Sequence, residues 1–171
     1  HVKSADAGGS VSVHANYDEL VVETDGAGGI TVATPDANAG GIAFESPSSS
    51  SGGNHLRWNY TSGAENFIMQ VDSTNMLYVA GGKVGIENTS LEANHANHTM
   101  MQIGALGVIN AETSEDTGQI LGLFQNYFIN ASGAKEYIHS DEASGIEIGN
   151  AGTIKLLVSN AVGVDGNTFT P

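Results

Sequence analysis

Cysteine is absent, which excludes disulfide staples, Cys-ligated zinc and thiol catalysis but leaves the compartment open. Aromatic side chains are scarce, at 6%, whereas glycine is plentiful, with 23 residues. Glycine loses the most backbone entropy on folding. A lone copy with so little bulky side chain is expected to be marginal, and burying strands against neighbouring copies is the easier route to stability. Positive charge is also in short supply. Lys3, Arg57, Lys83, Lys135 and Lys155 are scattered singly against 19 acidic residues, for a formal charge of −14. No basic patch is available to neutralise phosphates, so neither nucleic acid nor an anionic membrane surface is an expected partner. No apolar run approaches the ~18 residues of a membrane-spanning helix, so no membrane insertion is expected. No signal peptide is visible, and a chain that opens on His1 rather than Met reads as a piece of a longer or processed product.

What the sequence does have is period-two alternation in short runs, the mark of half-buried strands. Ile30, Val32 and Thr34 alternate, as do Leu56, Trp58 and Tyr60, then Phe67, Met69 and Val71. Val84 and Ile86, Ile146 and Ile148, Ile154, Leu156 and Val158, and Val162 and Val164 follow. Between them lie segments rich in Gly, Pro, Asp, Asn and Ser, at 24–29, 34–41, 46–54, 61–66, 80–83, 131–135 and 149–152. These residues supply positive φ, a preset φ or local side-chain bonds, and so mark turns. The pattern predicts an all-β fold of short antiparallel strands and Gly-rich hairpins.

Residues 88–99 lack alternation and offer Ser90 as an N-cap, so they read as a connector with at most a turn of helix. LYVAGGKVGIE at 77–87 aligns with LLVSNAVGVD at 156–165, pairing Leu77 with Leu156, Val79 with Val158, Val84 with Val162 and Gly85 with Gly163. This faint repeat predicts two tandem modules, each closed by such a hairpin. The expected organisation is an N-terminal segment 1–17, a first β module 18–90, a connector 91–102 and a second β module 103–171.

The first module resembles those of bacteriophage tail-fibre and related appendage proteins, in which a strand–Gly–strand segment precedes a signature close to G-x-V-G-I-G-x-T-S-P. Gly82, Lys83, Val84, Gly85, Ile86, Thr89 and Ser90 fit it, while Glu87 replaces the third glycine and Leu91 the proline. FQNYFINASGAKEYIHSDEAS at 124–144 is similar to a second fibre module, N-x-Y-[YF]…K-x-Y-I-x-x-D-E-A-S. Tandem modules of this kind are found upstream of a C-terminal intramolecular chaperone domain. The resemblance implies an intertwined or side-by-side homotrimeric fibre, located extracellularly on the virion. Its partners would be other tail or virion proteins and a host surface glycan, and its role shaft or receptor-binding region in host attachment. The rival readings are a carbohydrate-binding tip module and a prokaryotic surface filament or adhesin subunit.

Candidate chemistry is thin. His95 and His98, three apart, could face a metal, but a polar connector explains them as well. Asp36, Asn38 and Gly40 open like a calcium loop whose twelfth position is Pro47 instead of Glu, so a turn is the better reading. Asp165-Gly166-Asn167 has the same weakness. Asp141 and Glu142 are adjacent carboxyls, yet a glycosidase needs an opposed pair in a cleft. GAGG at 26–29 lacks the third glycine of a dinucleotide loop. No catalytic residue, cofactor site or metal site is assigned, and the chain is not expected to be an enzyme. Trp58 is expected in the core. Tyr127 and Tyr137 are the candidate receptor contacts, through stacking on sugar rings.

Overall fold

The computed structural model describes residues 2–3, 22–23, 27, 29–35, 38–45, 53–61, 64–113, 120–159, 163–169 and 171. The chain forms two units, residues 1–34 and 35–171. In the first, β1 (Val2–Lys3) pairs in parallel with β2 (Val22–Glu23). The expected strand over Ile30, Val32 and Thr34 does not form; those residues are exposed and outside any ladder.

The second unit is built on one ten-stranded sheet. Its strands are β3 (Ala39–Ala43), β4 (His55–Asn59), β5 (Asn66–Val71), β6 (Thr74–Ala80), β7 (Lys83–Ile86), β8 (His98–Ile103), β9 (Gly107–Glu112), β10 (Ile120–Gln125), β13 (Ala143–Gly149) and β14 (Thr153–Ser159). They lie in the order β14-β13-β10-β9-β8-β7-β6-β5-β4-β3, a meander interrupted once. Between β10 and β13 the chain leaves the sheet to make a separate hairpin, β11 (Tyr127–Ile129) with β12 (Lys135–Tyr137). Every pair in the large sheet is antiparallel except β7–β8. No helix occurs among the described residues.

Local chemistry explains the hairpins. Asp72 and Ser73 join β5 to β6 with φ of 48° and 63°, and Gly81 and Gly82 join β6 to β7 with φ of 55° and 74°. Two consecutive positive φ values make the two-residue turn whose twist suits a hairpin. Met76 is an extra residue in β6, because Met69 pairs with Leu77 while Gln70 pairs with Asn75. This bulge bends the strand locally. At the parallel step, β8 already begins at His98, inside the expected connector 91–102. Instead of a helical cap at Ser90, Asn88 Oδ1 accepts the Ser90 amide (2.8 Å) and Asn88 Nδ2 donates to the Gly104 carbonyl (2.9 Å).

The aligned repeat has two different outcomes. Residues 77–87 form the β6–β7 hairpin, whereas Gly163 and Val164 lie outside any strand and Val162 is outside the described residues. The two glycines still share a constraint. A Cβ on Gly85 would meet the Asn88 carbonyl oxygen and Leu91, and one on Gly163 would meet the ring of Tyr137.

Paired residues on neighbouring strands project to the same side of a sheet, so the register assigns two faces. One face carries Met100, Val108, Phe124, Ala143 and Leu157 and is covered by Tyr127, Phe128, Ile129, Tyr137 and Phe169, forming the hydrophobic core. The opposite face is left bare.

Candidate functional site

The bare face is the most distinctive surface of the second unit. A row of paired residues crosses all ten strands: Leu156, Ile146, Leu123, Ile109, Met101, Val84, Val79, Phe67, Trp58 and Gly40. The adjacent row continues through Ile103, Ile86, Leu77, Met69, Leu56 and Ile42. Leu121, Ile148 and Ile154 extend the apolar surface on the other side. Exposure runs from 38% at Ile146 to 75% at Leu156 among its large members on β13 and β14. Among the described strand residues no charged side chain points to this face. The charged residues of the strands, Arg57, Lys83, Glu112, Glu147 and Lys155, lie on the covered side by register.

Trp58 belongs to this face and is 50% exposed, so the expectation that it fills the core is corrected. Alternation groups Leu56 and Trp58 on one side correctly, but the folded chain covers the other side. Tyr127 and Tyr137 change in the opposite sense. Exposed by 0% and 5%, they are core residues, and the receptor contacts expected of them are not available on this surface. Tyr127 is stacked between Phe124 and Phe169, with ring centroids 4.3 and 4.4 Å apart, and Tyr137 meets Phe169 edge to face. Tyr137 Oη donates to Ser159 Oγ (2.9 Å). Burial, reinforced by the nearby Glu147 carboxylate, pushes the Tyr127 phenol well above its ordinary range. Glu147 is itself buried and pairs with Lys135 Nζ at 3.1 Å.

The residues that carried the second-module resemblance have structural work. Asn126 turns the chain off the sheet with φ of 61° and is fully buried. Its Nδ2 donates to the His139 and Glu142 carbonyls, at 3.0 Å each, and its Oδ1 accepts the His139 amide at 2.9 Å. Its backbone amide donates to Leu106 O (2.8 Å), and its carbonyl accepts from Ile138 N. Asn130 Oδ1 likewise accepts the amides of Ser132 and Ala134, closing the β11–β12 turn.

The remaining candidates are dispersed. His95 and His98 meet edge to face at 5.4 Å, and His98 Nδ1 shares a hydrogen bond with buried Asn110 Oδ1 (2.6 Å). Among the described residues no group of three or more His, Asp or Glu side chains is placed to hold a metal. Asp141 and Glu142 are both exposed on a turn. Hydrogen bonds from Glu142 hold the Asp141 carboxyl below its usual range. Asp36 lies outside the described residues, and Asn38 donates its amide to Pro35 O at the start of β3. Comparison with protein-family models, with curated proteins and with solved structures finds no match to this chain.

Proposed function

We propose that this chain is a structural segment of a bacteriophage tail fibre, in which three copies pack their bare sheet faces around a common axis to carry a host-attachment apparatus. The observation that carries this reading is the uncharged apolar face spanning ten strands in a chain of net charge −14. Monomeric proteins rarely leave contiguous apolar patches of more than a few hundred Å² in water. At ~4.8 Å between strands and ~3.4 Å per residue, the face measures about 43 by 17 Å, roughly 700 Å² per copy. A stable protein interface takes about 800 Å² from each partner.

Charge favours a second and third copy of the same chain as occupants. Among the described strand residues the acidic side chains, Glu112 and Glu147, point away from the face, so identical copies can meet there without these carboxylates opposing each other. The likeness of residues 82–90 and 124–144 to fibre modules supports the particular setting. The assignment of a structural role rather than an enzymatic one agrees with the work done by Asn126, Tyr127 and Tyr137, all of which hold the fold.

Sedimentation is the direct test. The expected species has three times the 17.6 kDa chain mass. A folded monomer at micromolar concentration overturns the reading. Labelling the chain on intact particles tests the setting, with density on a tail appendage as the expected result.

A further inference from the structure

The row of the apolar face that runs along the strand ends of β7 to β10 has one polar interruption. Gln125 pairs with Ser144 on one side and with Gly107 on the other, and all three fall in the row that ends in Val158 and Ile103. Gln125 and Ser144 are exposed, and neither side chain has a hydrogen-bond partner among the described residues. The other polar residues of the face differ. Thr74 lies at the tip of the β5–β6 hairpin, and the Thr99 hydroxyl donates to Gly82 O (3.2 Å). Because Gly107 and Ser144 are small, the interruption is also a dent. Gln125, Ser144, Gly107, Leu123, Ile146 and Val158 line a depression of about 580 Å³.

An unpaired amide amid apolar residues is costly once water is removed, unless it finds a partner. On a face that must otherwise slide against copies of itself, it has a further effect. Leu, Ile, Val and Met make non-directional contacts, and the central-row rungs from β14 to β6 are alike, only Phe67, Trp58 and Gly40 at the far end differing in size. Axial slippage by a rung or two uncovers about a tenth to a fifth of the face and otherwise exchanges one apolar contact for another. An amide that can be satisfied only opposite another amide makes one alignment better than the rest, as a single buried Asn does in a coiled coil.

We infer that Gln125, with Ser144 beside it, specifies the axial register of the assembled copies: the three Gln125 amides meet at one level and hydrogen-bond across the axis in the space left by Gly107 and Ser144. This rests on the self-assembly proposed above. The amide and hydroxyl lower stability relative to an all-apolar face and in return select one alignment among several.

The absence of cysteine makes the test clean. Met101→Cys and Leu123→Cys sit on the same row two strands apart, about 10 Å at the usual strand spacing. A disulfide needs Cα atoms within about 7 Å. When the two single-Cys chains are co-assembled and oxidised, in-register copies should give same-position links and no 101–123 link. Adding Gln125→Leu and Ser144→Val to both chains should preserve assembly, raise the thermal midpoint and produce 101–123 links. Same-position links alone in that background, or 101–123 links already present with Gln125 and Ser144 in place, overturn the register role while leaving self-assembly standing. A folded monomer from the unsubstituted chain removes the self-assembly reading itself, and the register role with it.

Discussion

The phenol of Tyr127 lies across the backbone of Gly145: a Cβ built on that glycine would stand 2.4 Å from the Tyr127 oxygen. The covering hairpin is therefore seated on the sheet by an aromatic ring resting where a strand has no side chain. Phe124 does the same over Gly122 within β10. Gly145→Ala should force the ring out of its stack with Phe124 and Phe169, at a cost of about 1–3 kcal/mol. Gly29, with nothing near its Cβ position, is the control, and Gly29→Ala should leave the urea midpoint unchanged at equal protein concentration.

Asn126 is expected to be the most sensitive polar residue of the core. Asn126→Ala removes the acceptor of the His139 amide and the donor to two carbonyls. It also places alanine at a left-handed φ that Asn tolerates better. With buried groups left unpaired, the loss should be about 2–4 kcal/mol. Hydrogen exchange should show residues 138–143 opening first.

Glu87 holds a φ of 52° at the position where the fibre signature has glycine. A side chain there carries strain that glycine does not, so Glu87→Gly should stabilise the protein by up to about 1 kcal/mol. An unchanged or lower thermal midpoint would show that Glu87 makes a compensating interaction.

Glu92 gives the protein a pH dependence of unusual sign. Burial first, then the carboxylates of Asp165 and Glu136, raise its pKa above the ordinary 4.5, with Lys83 opposing. The folded state therefore binds this proton more tightly than the unfolded state does. Its contribution is fully present below pH 4.5 and is lost as pH rises through the raised value. Glu92→Gln should flatten that decline and stabilise the protein at neutral pH, as read from thermal midpoints measured against pH.

Trp58, the chain's one tryptophan, reports on the bare face directly. In the assembled protein its emission should be that of a buried indole, moving to longer wavelength on dilution before the aromatic core unfolds. Leu123→Asp, at mid-face, should give the long-wavelength emission at every concentration. It should spare the core of Tyr127 and Phe169.

The strands that were legible in the sequence are those with a plain contrast between faces: Leu56 and Trp58 against His55 and Arg57 in β4, or Ile146 and Ile148 against Glu147 in β13. β8, β9 and β10 carry large apolar residues at successive positions, as in Met100–Met101, Val108–Ile109 and Leu123–Phe124, because one face meets the core and the other is bare. With both faces apolar, alternation disappears. Alternation also says which residues share a face and not which face is covered. That choice is made by the excursion at Asn126 that lays Tyr127 and Tyr137 on the sheet, a long-range event with no local periodic signal.

Because β3 to β7 each bond only to their neighbours in the chain, this part of the sheet has no length of its own. Inserting or deleting one hairpin changes its span by about 10 Å and keeps every other strand in phase. A single strand cannot be added so simply, since it would reverse the direction of everything downstream. The parallel β7–β8 step is the joint at which that direction is reset. It lets the strands on either side be counted independently, so that the two halves can be lengthened separately without disturbing the face they share.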